Sequence, residues 1–128
     1  MLVLLDTHLL LWAGLEPERL SDEARTLISD TGNDLFFSAA SVWEMSIKSA
    51  LRRDDFSLDP YVLRRSLLQN GYAEVAIEGS HAAAVRDLPP LHRDPFDRVL
   101  VAQARCEGMT LLTSDARVAE YGAPVRLV

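Results

Sequence analysis

The feature that most constrains the fold is a set of five short apolar runs that alternate with segments carrying helix signals. Each run is continuous in apolar and β-branched residues, the pattern of strands whose two faces are both covered. The runs are Leu2–Leu5, Leu35–Ser38, Ala73–Ile77, Thr110–Thr113 and Val125–Val128. Because strand and helix signals alternate along the chain, we predict an α/β fold. Its central parallel sheet would have about five strands and helices on both faces.

The segments between these runs carry the start and stop signals of helices. Ser21, followed by two acids, is a good N-cap for a helix that runs to about Ser29. Later helices are predicted from Ser41 to about Leu51, from Pro60 to about Gln69, from Ser80 to Asp87 and from Asp94-Pro95 to Gly108. The polar stretch Arg52–Asp59 separates the first two of these four.

The length and the cysteine content limit the architecture further. A chain of 128 residues allows one hydrophobic core, so we predict a single domain over residues 1–128. Cys106 is the only cysteine, which excludes a disulfide framework, and its apolar surroundings predict a buried side chain. The N-terminal run MLVLLDTHLLLW lacks the basic start of a signal peptide and is interrupted by Asp6 and His8. We therefore expect a cytoplasmic protein.

The charge balance is unusual for a protein that binds nucleic acid, because the net charge is −6 and the pI is near 4.9. If four or five acids gather in one metal site, much of this excess is local and bound cations would offset it. Lys48 is the only lysine among 13 basic residues, and arginine suits phosphates and surface ion pairs equally well. Taken alone, the negative net charge is weak evidence against RNA as a ligand.

Acidic residues follow or flank the predicted strands in a consistent way. Asp6 directly follows the first strand and Asp115 comes soon after the fourth, while Glu44 lies on the helix that begins after the second. Asp94 and Asp97 open the helix that precedes the fourth strand. Ligand sites of open α/β sheets form outside the carboxyl ends of the strands. Separate segments of the chain therefore bring acids to the same edge of the predicted sheet.

Such a cluster of carboxylates points to metal-dependent chemistry. Carboxylates packed close together repel one another and raise each other's pKa unless a cation offsets their charge. Magnesium and manganese prefer oxygen ligands and keep several waters. One such ion lowers the pKa of a water that attacks phosphorus, and a second ion about 4 Å away stabilises the leaving oxygen. The pattern favours hydrolysis of phosphodiester bonds.

Each acid also has a structural interpretation that the sequence leaves open. Asp6 could cap a following helix, and Asp115 could be a turn residue. The motif Ser41-x-x-Glu44 has the form of a capping box, in which Glu44 would serve only the helix end. Asp94 precedes a proline as a typical N-cap does, and Asp97 falls in the first turn, where the helix dipole favours any acid. If the acids had no catalytic function, all of these structural interpretations would have to be true at once.

The histidines and the hydroxyl side chains are weaker evidence for a metal site than the acids. The histidines His8, His81 and His92 lack the spacing of metal ligands, so we expect them to be ordinary residues without a zinc site. The hydroxyls of Thr7, Ser38 and Thr113 stand at strand ends, where they are candidates to hydrogen-bond a water held by the metal.

Four segments carry a resemblance to a known family: LLDTHLLLW, SVWEMSIK, HRDPFDRVLVAQA and LLTSD, in this order. Together they resemble the PIN-domain toxins of the VapBC toxin–antitoxin modules over residues 4–115, and HRDPFDRVLVAQA is highly specific. The resemblance implies a PIN fold, a three-layer α/β/α sandwich around a parallel sheet. This fold agrees with the strands and helices predicted above.

The resemblance also implies roles for individual residues. Position by position, the four acids of the PIN pattern are Asp6, Glu44, Asp97 and Asp115, and Asp94 is the neighbouring acid of DPFD. The family cleaves RNA with magnesium or manganese, commonly as a homodimer, and a cognate antitoxin silences it. We expect Asp6, Asp97 and Asp115 to hold the metal and Glu44 to position or activate the attacking water. Asp94 would support Asp97, and transfer or ribosomal RNA would be the substrate.

Three other classes of protein are alternatives to this interpretation. A phosphoacceptor signalling domain needs a lysine at a strand end, and Lys48 lies in the middle of a predicted helix. An aspartate-nucleophile phosphatase needs a second aspartate two residues after the first, where this chain has His8. A catalytically inactive PIN-fold module that binds RNA or protein remains open, although all four acids of the pattern are present.

Overall fold

The computed structural model of the protein describes residues 1–51 and 58–128, and five parallel strands form the centre of this part. They are β1 (Leu2–Leu5), β2 (Asp34–Ser38), β3 (Ala73–Val75), β4 (Thr110–Thr113) and β5 (Val125–Leu127). The predicted strands are therefore confirmed, although β2 begins one residue early and β3 and β5 end before the predicted Ile77 and Val128. Residues 52–57, within the polar stretch predicted from Arg52 to Asp59, lie outside the described residues.

The order of the strands across the sheet places β1 at its centre. The order is β3-β2-β1-β4-β5, and each neighbouring pair is parallel. The chain builds outwards from β1 through β2 to β3, and then crosses back to place β4 on the other side of β1. The strand order thus reverses between β1 and β4, and the carboxyl end of such a switch point is where open α/β sheets bind ligands.

Helices connect the strands throughout the described residues. They are α1 (Thr7–Leu15), α2 (Asp22–Ser29), α3 (Ala39–Ala50), α4 (Pro60–Gln69), α5 (Gly79–Ala84), α6 (Pro95–Glu107) and α7 (Ala116–Ala119), with 3₁₀ turns at Pro17–Arg19 and Val85–Asp87. No bounds were predicted for α1, whose run Leu9–Trp12 is apolar on every side, or for α7, which has only four residues. The helix predicted to Asp87 ends at Ala84, where the 3₁₀ turn takes over.

Alternate residues of the strands face two separate cores, as the two-residue period of a strand requires. In β1, Val3 and Leu5 pack in one core with residues of α1, α2, α3 and α4. Leu4 points the other way and packs with residues of α6 and α7. In β4, Leu112 joins the first core and Leu111 the second. Helices therefore cover both faces of the sheet, which is the three-layer α/β/α arrangement.

The start of α3 differs from the prediction in a way that changes the interpretation of Glu44. The N-cap is Ser38, whose Oγ accepts a hydrogen bond from the Ala40 N–H at 3.0 Å. Because β2 leads directly into the helix, Ser41 lies in its first turn, and the alternative in which Ser41 and Glu44 form a capping box is excluded. The Glu44 side chain therefore projects from the interior of α3 and has no role at the helix end.

Helix α6 begins and ends as predicted. Asp94 is its N-cap, and Gly108 ends it in the left-handed conformation at φ 66°, which glycine adopts without steric cost. The prediction of a buried Cys106 is wrong, since this residue lies on the exposed side near the end of the helix. Within residues 1–51 and 58–128, no helix is long and apolar enough to cross a membrane.

Gln103, a buried residue of α6, forms hydrogen bonds at the carboxyl ends of two strands, β2 and β3. The side chain of Gln103 is fully buried, and its Oε1 accepts a hydrogen bond from the Ser38 hydroxyl at 2.6 Å. Its Nε2 donates to the Ala76 carbonyl at 3.3 Å. Ser38 both ends β2 and caps α3, so this contact helps to fix where α3, and Glu44 with it, begins.

We predict that Gln103→Met, which keeps the volume but removes both hydrogen bonds, lowers the free energy of unfolding by about 1–3 kcal/mol. The Ala76 carbonyl and the Ser38 hydroxyl would then be buried without this partner. Urea unfolding followed by circular dichroism measures the change. Gln69→Met on the exposed side of α4 is the matched control and should change the stability little. Equal stability of both variants would contradict a structural role for Gln103.

Candidate active site at the carboxyl edge of the sheet

Asp6 lies between the central strand β1 and α1, and only 3% of its surface is exposed. Its Oδ1 accepts a hydrogen bond from the Leu9 N–H at 2.9 Å, so Asp6 does cap α1. Its Oδ2 accepts one from the Thr113 hydroxyl, at the end of the neighbouring strand β4, at 2.6 Å. Burial raises the pKa of Asp6; these hydrogen bonds oppose the increase, and the negative charge of Glu44 adds to it.

Glu44 approaches the same edge of the sheet from α3. Its exposed fraction is 7%, and its Oε2 accepts a hydrogen bond from the Lys48 ammonium, one turn further along the helix, at 2.9 Å. The negative charge of Glu44 contributes to the raised pKa of Asp6, so the two carboxylates lie within electrostatic range of each other. A glutamate inside a helix is usually placed in solvent. The burial of Glu44 beside Asp6 therefore points to a site and not to a helix cap.

Asp94 and Asp97 stand together at the start of α6. Asp94 Oδ1 accepts hydrogen bonds from the N–H groups of Phe96 at 2.9 Å and of Asp97 at 3.3 Å, as an N-cap does. Burial raises the pKa of Asp97 to about 6, and the negative charges of Asp94 and Asp6 contribute to the increase. Asp97 is thus near both Asp94 and Asp6, and its charge is held in partly desolvated surroundings.

Asp115 lies two residues after the end of β4, and its side chain is more exposed than those of Asp6, Glu44 and Asp97. Its N–H donates to the Thr113 hydroxyl at 3.0 Å, and that hydroxyl in turn donates to Asp6. Its carboxylate caps α7 through the Arg117 N–H at 2.9 Å. The Arg117 guanidinium also contacts both carboxylate oxygens, at 3.4 and 3.2 Å, and this hydrogen bonding lowers the pKa of Asp115.

The acids predicted from the sequence are therefore brought to one edge of the sheet. Electrostatic interactions link Asp6 to Glu44 and to Asp97, and Asp97 to Asp94. Asp115 is linked to Asp6 through the Thr113 hydroxyl. Of the three hydroxyls singled out in the sequence, Thr113 contacts a candidate acid directly. Thr7 and Ser38 donate to Ser41 at 2.9 Å and to Gln103 at 2.6 Å.

His92 is a member of the site that was not predicted from the sequence. Its Nε2 lies 2.8 Å from Asp97 Oδ2. Among the described residues, His92, Asp94 and Asp97 form the group whose ligand atoms all lie within 4.8 Å of one another. His81 differs, since it is buried and bonds the Glu78 N–H and Glu107. Local spacing gave no signal for His92, because a loop and not a helix places its ring beside Asp97.

That loop is held by the residue that follows Asp97. The Arg98 guanidinium donates to the Tyr121 hydroxyl at 2.9 Å and to four backbone carbonyls, those of Val85, Leu88, Pro89 and His92, at 3.0–3.4 Å. The planar fork of arginine can satisfy several acceptors at once, which a lysine ammonium cannot do with the same geometry. Two residues at the start of α6 therefore hold His92 in place: Asp97 contacts its ring, and Arg98 donates to its backbone carbonyl.

The donor set of this site fits a divalent cation. Each Asp6 oxygen accepts one hydrogen bond, which leaves lone pairs available for a further ligand interaction. The raised pKa values of Asp6 and Asp97 indicate that their charged forms lack compensation from solvent. A cation beside them would supply it. Carboxylate oxygens are the ligands that hard cations prefer, and the imidazole of His92 is a further potential ligand next to them.

Comparison with known families and sequences gives two independent matches. Residues 3–124 match the PIN domain. The chain is also 32% identical over 123 residues to ribonuclease VapC22 of Mycobacterium tuberculosis strain H37Rv. The match covers 95% of this chain and 93% of that protein, so the two correspond over nearly their whole lengths.

Solved structures with a similar fold belong to toxin–antitoxin complexes. The chain resembles VapBC2 from Rickettsia felis, solved bound to a DNA fragment from its promoter, with a TM-score of 0.70 and 14% identity; the match covers 100% of this chain and 98% of that one. It resembles VapBC-1 from nontypeable Haemophilus influenzae with a TM-score of 0.66 and 14% identity, covering 100% and 97%. At these identities the likeness shows the fold.

The raised pKa of Asp97 predicts how stability depends on pH when a chelator keeps cations away. The folded protein binds this proton up to about pH 6, whereas the unfolded chain releases it near 3.8. The unfolded state therefore binds fewer protons between these values, and the free energy of unfolding should fall as the pH rises from 4 to 6. The contribution of Asp97 is at most about 1.4 kcal/mol per pH unit.

The measurement compares wild type with Asp97→Asn, by chemical denaturation in excess EDTA at several pH values. The variant cannot titrate at position 97, so its stability should fall less steeply over this range. The comparison removes the contributions of shared carboxylates that are not coupled to Asp97, such as Asp115. Identical slopes for the two proteins would show that Asp97 has an ordinary pKa.

Proposed function

The chain belongs to the PIN domain family, and we propose that it is a metal-dependent endoribonuclease that acts as the toxin of a toxin–antitoxin module. Two comparisons support this proposal. A relative that matches nearly the whole chain at 32% identity is named a ribonuclease. Structures with the same fold are those of VapBC toxin–antitoxin complexes.

The observation that carries the proposal is the pair of desolvated carboxylates at the switch point of the sheet. Asp6 and Asp97 are both held with raised pKa values, and each lies near a further acid, Glu44 and Asp94 respectively. Maintaining such charges in a fold is costly unless they have a function. We propose that Asp6, Asp97 and Asp115 hold the cation.

A bound magnesium or manganese ion would supply a positive charge that favours ionisation of a nearby water and offsets the charge developing on the phosphate. The residues of the chain would orient the reactants. Thr113 donates to Asp6 and fixes its carboxylate, and Asp94 holds the backbone of Asp97 through the helix cap. Glu44, buried beside Asp6, would accept the proton of the attacking water or align it.

Two cations on the rim of this site suit a phosphodiester substrate. The Lys48 ammonium contacts Glu44 at 2.9 Å, and the Arg117 guanidinium contacts Asp115 at 3.2 Å. A metal ion held by Asp115 would free the Arg117 guanidinium to contact a phosphate of the RNA, whereas Lys48 would keep its contact with Glu44 and add a positive charge nearby. The net charge of −6 is then compatible with RNA, because part of it is concentrated at the site. We propose a single-stranded or loop region of transfer or ribosomal RNA as the substrate.

A cognate antitoxin would inhibit the site, and we propose that it does so by inserting an arginine among Asp6, Glu44, Asp97 and Asp115. The guanidinium group forks onto two carboxylate oxygens and does not lose its proton. Arg117 of the chain itself already binds both oxygens of Asp115, which supports a carboxylate geometry suited to such a group. We expect the active protein to be a homodimer.

We predict that the purified protein cleaves RNA with magnesium or manganese and stops when EDTA is added. Glu44→Gln, which is nearly isosteric and keeps α3 capped by Ser38, should lower the cleavage rate by at least about 100-fold. Gel analysis of RNA fragments measures the rate. Magnesium should also raise the melting temperature of the wild type without RNA, because it binds only the folded site. Full cleavage in excess EDTA would contradict the metal.

Asp94→Asn and Asp97→Asn form the matched pair of controls for this experiment. Asparagine is as good an N-cap as aspartate, so Asp94→Asn should keep α6 intact and reduce cleavage moderately. Asp97→Asn should reduce cleavage more, since it removes a carboxylate expected to hold the ion. The opposite order would mean that Asp94 is the third acid of the pattern.

We further predict that expression of the wild-type chain alone arrests bacterial growth, whereas expression of Asp6→Asn does not. The physical reason is that the asparagine side chain can keep the cap on α1 but lacks the charge needed for the cation. Colony counts after induction, with immunoblots to confirm equal protein levels, measure the effect. If both chains are equally harmless at equal levels, the toxin assignment fails, even where the purified protein cleaves RNA.

A further inference from the structure

A large aromatic side chain lies exposed at the edge of the candidate site. Trp43 precedes the buried Glu44 in α3, and 58% of its surface is open to solvent. Its ring packs edge-to-face against Phe96, with the ring centroids 5.0 Å apart and the planes at 77°. This is the favoured geometry of an aromatic pair. The contact fixes the orientation of the Trp43 indole, which is not part of either hydrophobic core.

Both aromatic residues are neighbours in sequence of candidate catalytic acids. Trp43 is joined to Glu44, and Phe96 stands between Asp94 and Asp97 with its N–H bonded to Asp94 Oδ1 at 2.9 Å. The pair therefore bridges α3 and the start of α6, the two elements that bring these acids to the sheet edge. A molecule that stacks on the Trp43 ring and extends past Phe96 reaches the start of α6, where Asp94 and Asp97 lie.

We infer that Trp43, braced by Phe96, is a stacking platform for a nucleobase of single-stranded RNA next to the cleaved phosphate. The inference rests on the proposed ribonuclease function and extends it to a substrate contact. Unpaired bases stack on exposed aromatic rings without regard to sequence, since every base has a π face. A base on Trp43 would hold its own nucleotide, and hence an adjacent phosphate, near Glu44 and Asp97.

The position of Trp43 favours RNA over a protein as the molecule that covers it, because the ring precedes Glu44 in α3 and packs on Phe96 beside the other acids. Lys48 lies one turn beyond Glu44 on the same helix and Arg117 lies at Asp115, so the candidate site itself carries two cations that could contact the RNA backbone. The other exposed apolar residues along this part of the chain are Ile47 in α3 and Leu51, which directly follows the helix. A protein partner would cover all three, whereas a base requires Trp43 alone.

The experiment measures RNA binding in an Asp6→Asn background, in which cleavage is expected to be silent, with magnesium present. The probes are a fluorescein-labelled eight-nucleotide oligoadenylate and an abasic octamer with the same sugar-phosphate backbone. Fluorescence anisotropy gives the dissociation constants. Trp43→Leu removes the aromatic ring and keeps an apolar side chain, Trp43→Phe keeps a ring, and Ile47→Ala is the control one turn away on the same helix.

We expect Trp43→Leu to weaken oligoadenylate binding on the order of 10-fold and to leave binding of the abasic octamer unchanged. Trp43→Phe should recover most of the loss, and Ile47→Ala should bind both probes as the parent does. Equal weakening on both probes would overturn the inference, because it would place the effect in the backbone or in the fold. Unchanged oligoadenylate binding, or none by the parent protein, would overturn it as well.

Two further measurements separate the possible failures. Light scattering of Trp43→Leu and Ile47→Ala reports the oligomeric state, and loss of a dimer in step with loss of RNA binding would assign Trp43 to a protein interface instead. RNA cleavage by the chain with native Asp6 tests the proposed function independently. If the native chain cleaves RNA but Trp43→Leu binds RNA normally, only the stacking role of Trp43 is contradicted. If the native chain cleaves no RNA, the ribonuclease proposal itself is contradicted.

Discussion

The negative charge on Asp6 has to be maintained at the end of the central strand, where almost no water reaches it, and much of the surrounding structure serves that need. The Leu9 N–H of α1 and the Thr113 hydroxyl of β4 each give the carboxylate one hydrogen bond. Even so, burial and the charge of Glu44 leave the pKa of Asp6 raised. The same hydroxyl accepts from the Asp115 N–H, so the two strands share one network. A cation at this position would stabilise the whole edge of the sheet.

The first turn of α6 carries several functions in a few residues. Asp94 caps the helix, and the carboxylate of Asp97 contacts the His92 ring. Arg98 holds the loop that contains His92. Phe96, between them, braces Trp43 of α3. A substitution at any of these positions changes the others, because they share one helical turn and one loop. This coupling gives a physical reason for the density of polar and aromatic residues in the segment HRDPFDR, beyond the needs of a helix start.

Much of the fold followed from the sequence, since strands and caps are local features. The cap of α2 at Ser21 and the cap of α6 at Asp94 formed as predicted, because each depends on residues only a few positions apart. The start of α3 did not, since two serines compete there for the cap and the direct passage from β2 selects Ser38. Cys106 was expected inside from its apolar neighbours, but the rotation of α6 against the sheet exposes it. Local pattern does not fix that rotation near a helix end.

The sequence by itself determined which acids stand at the carboxyl edge, because parallel strands separated by helices necessarily end on one side of the sheet. Asp6 and Asp115 could be placed there from the strands they follow. Only the tertiary structure decided that Glu44 is buried beside Asp6 and not closing a capping box, that His92 reaches Asp97 across a loop, and that Trp43 stays exposed on Phe96. These contacts join α3, α6 and the loop before α6, which are far apart along the chain. Their distances and solvent exposure are set by packing against the sheet, which no local periodicity encodes.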